Sequence, residues 1–264
     1  MLTIKNAVKI FSPKTPNEHM ALNKLNLHLD RGEFVTIVGS NGAGKSTLFN
    51  AICGNFQLDS GRIMVDDNDI TFMKEFKRAG FIGRVFQDPM RGTAPNLTIE
   101  ENLALAYSRQ NRGPLSFAVN KKETEIFKTA LSQFGMGLED RIKTKVGLLS
   151  GGQRQAVTLL MCTLVTPKLL LLDEHTAALD PATAEKVMKI TNEIVGRNNI
   201  TTLMITHNLK SALETGTRTI MMDSGEIILD IDKDERAKMS LDDLLKMYSL
   251  KKNKVFDEDR ALLN

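Results

Sequence analysis

A glycine-rich loop spans residues 39–47 and reads Gly39-Ser40-Asn41-Gly42-Ala43-Gly44-Lys45-Ser46-Thr47. It fits the pattern G-x-x-x-x-G-K-[ST], and its flanks predict a buried strand before it and an apolar helix after it. In that context, backbone N–H groups and the helix N-terminus cradle phosphate oxygens. We expect Lys45 to reach the β- and γ-phosphates and Ser46 to ligate Mg²⁺ through its hydroxyl.

A second apolar run, residues 169–172, ends in the carboxylates Asp173 and Glu174. A buried strand that ends this way places both acids at the carboxyl edge of a sheet, where ligands bind in open α/β folds. We expect Asp173 to hold Mg²⁺ and Glu174 to polarise or deprotonate an attacking water. Without the phosphate loop upstream, a solvated loop with two acids would be the competing interpretation.

Strands alternate with helices through much of the chain, which predicts a parallel α/β core. The N-terminal pieces 2–4, 8–11 and 23–30 read as strands, the last with apolar residues at every second position. Between about residues 90 and 165 the pattern changes to helices, with a loop predicted over 109–116. This block indicates an inserted second lobe.

Composition narrows the class of protein. The chain has 264 residues and a formal net charge of +3, which gives no basic footprint for nucleic acid. Cys53 and Cys162 do not suggest a disulfide framework, so a reducing compartment is expected. No signal peptide is evident, and no apolar run reaches the roughly 18–20 residues of a membrane span. A role at a membrane would therefore need a partner that spans it.

The segment Leu149-Ser150-Gly151-Gly152-Gln153 provides the most specific motif. Together with the phosphate loop upstream and Asp173-Glu174 downstream, it resembles the nucleotide-binding subunit of ABC transporters. The order and spacing match from Phe11 to about Leu229. Physically, a serine and two glycines at a helix start form an anion site. The resemblance implies that this site caps the γ-phosphate bound by the other protomer.

The resemblance implies further site residues, one position at a time. Gln87 would contact Mg²⁺ and the attacking water. Asp180 would contact the other protomer, and it also suits the N-cap of a helix that starts at Pro181. His207 would donate to the γ-phosphate and orient the water. Phe11 would stack on adenine, although a core phenylalanine is the alternative.

One departure from the family pattern follows the catalytic carboxylate. Most members have proline after the position of Glu174, and this chain has His175. The histidine could tune the pKa of Glu174, or it could be a tolerated loop substitution.

The resemblance also implies the fold class and the domain limits. The fold would be α/β: a phosphate-loop NTPase core with a RecA-like, mostly parallel sheet, an N-terminal antiparallel β subdomain and an inserted α-helical subdomain. We expect the ATP-binding domain over residues 1–230, with its helical lobe at about 90–165, and a C-terminal helical extension over 231–264.

The implied function is ATP hydrolysis, with ATP and Mg²⁺ bound between two such subunits, either a homodimer or a pair of similar chains. Separate membrane permeases and an extracytoplasmic solute-binding protein would be partners, at the cytoplasmic face of the membrane. The variant spanning residues 173–180 resembles importer ATPases linked to amino acids. The alternative is a soluble ATPase of the same type, such as one in iron–sulfur cluster assembly. Coiled-coil chromosome ATPases are disfavoured because residues 45–150 lack sustained heptads.

Overall fold

Two sheets form the framework of the protein. The computed structural model describes residues 1–111, 119–240, 242–244 and 246–247. One sheet is antiparallel, with order β2-β1-β4-β5, and its strands are β1 (Leu2–Phe11), β2 (His19–Leu29), β4 (Ser60–Val65) and β5 (Asn68–Asp69). The other has order β10-β9-β3-β8-β7-β6, and its strands are β3 (Phe34–Gly39), β6 (Ile82–Val85), β7 (Leu169–Asp173), β8 (Thr201–Ile205), β9 (Arg218–Asp223) and β10 (Glu226–Ile231).

The larger sheet is parallel except where β10 pairs antiparallel with β9. Every residue of β8 is buried, as are the apolar residues of β3 and β7. Helices cover both faces of such a sheet, which explains why these strands are continuously apolar in sequence. The exposed and buried residues of β2 alternate more clearly, because one face of the smaller sheet is solvated.

The N-terminal strand is longer than the sequence pattern predicted. Residues 2–4 and 8–11 belong to a single strand, β1, whose pairing with β2 shifts register between Ile4 and Ala7. Asn6 lies in this interruption with a φ of 48°. The irregularity breaks the alternation of side chains, which is why two separate strands were predicted.

The helices with defined bounds are α1 (Lys45–Cys53), α2 (Glu75–Arg78), α3 (Ile99–Asn111), α4 (Lys121–Ser132), α5 (Gly151–Thr163), α6 (Pro181–Asn198), α7 (Leu209–Glu214) and α8 (Lys233–Arg236). Residues 242–244 and 246–247 are also helical. In the helical lobe, Leu103 of α3, Phe127 of α4 and Val157 of α5 belong to one buried cluster. The loop predicted over 109–116 is wrong for residues 109–111, which continue α3, and its remaining residues lie outside the described part. Among the described residues, no helix has the length and hydrophobicity to cross a membrane.

The start of the predicted C-terminal extension packs on the core. Arg236 is 8% exposed, and its guanidinium donates to the carbonyl oxygens of Ala212, Leu213 and Thr215 at the end of α7. Leu244 joins a buried cluster with Val38. The domain boundary near residue 231 stays a prediction, and most of residues 241–264 lie outside the described part.

Arg78 fastens the C-terminal end of α1. Its side chain is 2% exposed and donates to the carbonyl oxygens of Ala51, Ile52, Thr71 and Met73 at 2.8–2.9 Å. These acceptors come from α1 and from the segment before α2. The phosphate loop begins α1, so Arg78 helps to fix the helix that the loop depends on.

We predict that Arg78→Met lowers the free energy of unfolding by about 3 kcal/mol, because buried carbonyl oxygens lose a charged donor. Denaturant unfolding measures the loss. Arg31→Met is the matched control, since the Arg31 side chain is 71% exposed and pairs with Asp66 at the surface. Its expected cost is below about 0.5 kcal/mol. Equal losses in the two variants would contradict the role given to Arg78.

Candidate active site

The phosphate loop joins β3 to α1, as its sequence predicted. Gly44 has a φ of 97°, and a Cβ there would lie 2.4 Å from the carbonyl oxygen of Ala21. Gly39 is equally constrained, because a Cβ would lie 2.2 Å from the carbonyl oxygen of Met222. Ser40 Oγ donates to Asp223 Oδ1 at 3.0 Å, which ties the loop to the end of β9. Strands of both sheets, β2 and β9, therefore constrain the shape of the loop.

Lys45 lies beneath this loop. Its side chain is 6% exposed, and Nζ donates to the carbonyl oxygens of Gly39 and Ser40 at 2.8 Å each. Burial lowers the pKa of Lys45, and the carboxylates of Glu174 and Asp173 oppose that shift. The ammonium thus sits between the loop and the two acids at the end of β7.

The register of β7 and β8 places the acids. Asp173 pairs with Ile205, and the Glu174 N–H donates to the Ile205 carbonyl oxygen at 3.0 Å. Glu174 then turns out of the strand with a φ of 47°. A left-handed backbone is costly for a residue other than glycine, and such strain often accompanies function.

Glu174 contacts His207, which follows β8 by two residues. His207 Nε2 and Glu174 Oε1 are 2.5 Å apart, and the Glu174 side chain is 11% exposed against 48% for His207. A carboxylate held this way has a fixed direction at the edge of the sheet. The predicted base and the predicted switch histidine are therefore in direct contact.

A cavity of about 630 Å³ lies at this edge. Four predicted residues line it together: Ser46, Gln87, Asp173 and Glu174. Ser46, Gln87 and Asp173 offer hydroxyl, amide and carboxylate oxygens, the hard ligands that Mg²⁺ prefers. The donor set fits the predicted ion. His207 lines a neighbouring cavity of about 220 Å³ with Gly39 and Ser40.

Arg84 of β6 is a residue of this cavity that the sequence analysis missed. Its Nη2 donates to Asp173 Oδ2 at 2.7 Å, and Nη1 donates to Asn50 Oδ1 of α1 at 2.7 Å. The guanidinium also lies 4.7 Å from the Phe86 ring centroid. A signal existed, because an arginine interrupts an otherwise apolar strand.

The signature residues lie elsewhere on the surface of this protomer. Ser150 caps α5, where its Oγ accepts from the Gln153 N–H at 3.3 Å and Gln153 Oε1 accepts from the Ser150 N–H. Asp180 caps α6 by accepting from the Thr183 N–H at 3.0 Å, and hydrogen bonds from Thr183 lower the pKa of Asp180. The cavity lining contains no signature residue and no Asp180. Both motifs form ordered helix starts that the cavity of this chain does not use.

Phe11 is 38% exposed at the end of β1 and does not line the cavity. Its ring meets Phe56 edge-on, with centroids 5.5 Å apart, and Lys9 Nζ lies 5.6 Å from the Phe11 centroid. Stacking of Phe11 on adenine stays a prediction.

The pattern of the ABC transporter family matches residues 22–177. The chain belongs to the ABC transporter family, as an ATP-binding subunit. A tyrosine transport ATP-binding protein of Clostridioides difficile (strain R20291) is 44% identical over 248 residues, which cover 94% of this chain and 98% of that protein. A phosphonates import ATP-binding protein of Lactococcus lactis subsp. cremoris (strain SK11) is 34% identical over 92% of this chain and 98% of its own.

Solved ABC cassettes share the fold. The dimeric post-hydrolysis state of the cassette MJ0796, bound to ADP and phosphate, superposes with a TM-score of 0.77 at 27% identity, covering 88% of this chain and 99% of that one. These comparisons confirm the predicted fold class and the prediction of an ATP-binding ATPase subunit. The roles of individual site residues stay predictions.

His175, the departure from the ABC family pattern, points away from the cavity. Its side chain is 2% exposed, and Nε2 lies 3.3 Å from Thr191 Oγ1 of α6. Thr191 Oγ1 already donates to the Val187 carbonyl oxygen, so His175 Nε2 is the donor. Burial lowers the pKa of His175 from 6.5 to about 4. This environment favours a packing role over tuning of Glu174.

The pKa of His175 predicts a pH dependence of stability. The folded protein resists protonating this group, so the stabilisation is complete above the unfolded pKa near 6.5 and is lost as pH falls towards 4. Between about pH 7 and pH 5 the loss is about 2 kcal/mol. We expect His175→Gln, which keeps a donor near Thr191, to remove this part of the decline in unfolding free energy.

The control is His28→Gln, which changes an exposed histidine on β2. The unfolding free energy of His28→Gln should fall with decreasing pH as that of the wild type does. A decline unchanged in His175→Gln would show that His175 is not buried as a neutral group.

Proposed function

We propose that the protein binds ATP with Mg²⁺ between two cassettes and hydrolyses it to power import of an amino acid through separate membrane permeases. The observation that supports it most is the Glu174–His207 contact at the edge of the cavity that holds Ser46, Gln87 and Asp173. Activation of water requires a carboxylate with a fixed orientation next to the phosphate loop.

The ion would be held by Ser46, Gln87 and Asp173. The chemistry that the ion would supply there is positive charge, which would offset the negative charge that develops on the phosphate oxygens. The fit rests on the three oxygen donors that share the cavity.

Side chains of this protein carry out the other steps of hydrolysis. Lys45 contacts the β- and γ-phosphates and stabilises negative charge on them. The oxygen of water forms a bond to the γ-phosphorus while the bond from that phosphorus to the β-phosphate oxygen breaks, so ADP leaves with the electron pair. Glu174 orients the water and accepts its proton. His207 holds Glu174 in place and donates to the released phosphate.

A second protomer completes the site in this proposal. Ser150 and Asp180 cap the starts of α5 and α6, and neither residue lines the cavity of its own chain. Two of the similar solved cassettes are described as dimeric. A second copy of this chain, or a similar subunit, would place Ser150, Gly151, Gly152 and Gln153 over the γ-phosphate.

The proposal for the transported solute is based on sequence similarity. The relative of 44% identity is named for tyrosine transport and aligns over nearly its whole length. We therefore propose an aromatic or related amino acid, a permease pair, and a solute-binding protein outside the membrane, with this subunit at the cytoplasmic face.

Glu174→Gln should bind ATP with unchanged affinity, hydrolyse it at least about a hundredfold more slowly, and accumulate as an ATP-bound dimer, because the amide cannot accept the proton of water. Phosphate release and light scattering after gel filtration measure these effects. Glu185→Gln, the same change on the exposed face of α6, should behave as the wild type. Hydrolysis at the wild-type rate in Glu174→Gln would refute the assignment of the base.

The cargo has its own test. Tagged Glu174→Gln, purified from detergent-solubilised membranes with ATP, should recover a multispanning permease identified by mass spectrometry. Cells that carry only Glu174→Gln should lose uptake of radiolabelled tyrosine that the wild type supports. Recovery of partners from an assembly system alone would favour the assembly ATPase, and unaffected tyrosine uptake alongside a recovered permease would point to another cargo.

A further inference from the structure

Both carboxylates at the end of β7 have a partner within the chain. Glu174 contacts His207, and Asp173 Oδ2 accepts from Arg84 Nη2 at 2.7 Å. The Arg84 and Asp173 side chains are only 11% and 14% exposed. An ion pair shielded in this way is screened little by salt and leaves a costly charge if one partner is removed.

We propose that Arg84 is the resident counter-ion of Asp173 and competes with Mg²⁺ for it, so that Arg84 sets the magnesium concentration at which the site loads nucleotide. The inference rests on the proposed function, because it takes Asp173 as a magnesium ligand. Arg84 is a positioning residue, since it acts through Asp173.

The competition follows from charge. The guanidinium engages one of the two Asp173 oxygens, and Oδ1 has no hydrogen bond among the described residues. A divalent cation drawn to the same carboxylate is repelled by the guanidinium beside it. Loading therefore requires Arg84 to give up part of its hold on Asp173.

Other contacts keep Arg84 close when it does so. Nη1 donates to Asn50 Oδ1, and the guanidinium lies 4.7 Å from the Phe86 centroid and 5.9 Å from that of Phe49. Asn50 lies one helical turn after Ser46 on α1, and Phe86 directly precedes Gln87. Arg84 thus connects the segments that carry all three proposed magnesium ligands, and none of these other contacts needs Asp173.

The test is a magnesium titration of nucleotide binding, followed by the fluorescence of methylanthraniloyl-ADP on the full chain. Removal of the competitor in Arg84→Met should lower the magnesium concentration for half-maximal binding by about fivefold. Arg84→Lys keeps the charge without the planar fork, so its midpoint should lie between those of Arg84→Met and the wild type.

Arg91→Met is the matched control. Arg91 lines the same cavity, lies 5.4 Å from the same Phe86 ring and forms no ion pair with any described residue. Arg91→Met removes one positive charge from the cavity but no contact with Asp173, so its midpoint should fall much less than that of Arg84→Met. An equal fall in Arg91→Met and Arg84→Met would show a general charge effect and overturn the proposal.

Thermal unfolding separates competition from a merely structural role. Without ligand, Arg84→Met should unfold at a lower temperature than the wild type. On addition of magnesium and ADP, its unfolding temperature should rise by more than that of the wild type. The inference would be overturned if the rise in unfolding temperature were the same in Arg84→Met and the wild type, or if the magnesium midpoint of Arg84→Met were unchanged or higher. The proposed function would stand in either case. If nucleotide binding by the wild type did not depend on magnesium, both the proposed role of the ion and this inference would be overturned.

Discussion

The register between β7 and β8 is the constraint on which the site depends. Asp173 lies opposite Ile205, and one further hydrogen bond from the Glu174 N–H to Ile205 turns Glu174 out of the ladder. Because β7 and β8 are parallel, the segments that follow them leave the sheet at the same edge. His207 contacts Glu174 there. A slip of one residue would send the side chains to opposite faces and break this contact.

The charged side chains at this edge have partners within the chain. Lys45 is folded under the loop, Arg84 faces Asp173 and His207 faces Glu174. Each of these three side chains comes from a different element: α1, β6 and the segment after β8. A nucleotide with its metal would have to rearrange this set, which links phosphate binding to the positions of three separate parts of the fold.

The motifs were predictable because each depends on neighbouring residues. The phosphate loop, the Asp173-Glu174 pair and the cap at Ser150 need only a strand or a helix on one side, and local patterns predict those. The N-terminal strand was predicted in two pieces because its irregularity at Asn6 interrupts the alternation. The end of α3 was misplaced because polar residues 109–111 are helical without an apolar stripe to show it.

The sequence by itself determined the fold class, the family, and the strand ends that carry the glycine-rich loop and the Asp173-Glu174 pair, since those follow from motif order and strand patterns. Only the tertiary structure decided how the side chains are used. Arg84 meets Asp173 across 89 positions of sequence, a contact set by the pairing of β6 with β7. His175, next to Glu174 in the chain, turns instead into the core against Thr191. Side-chain direction at a strand end depends on packing with distant elements, and no local pattern encodes it.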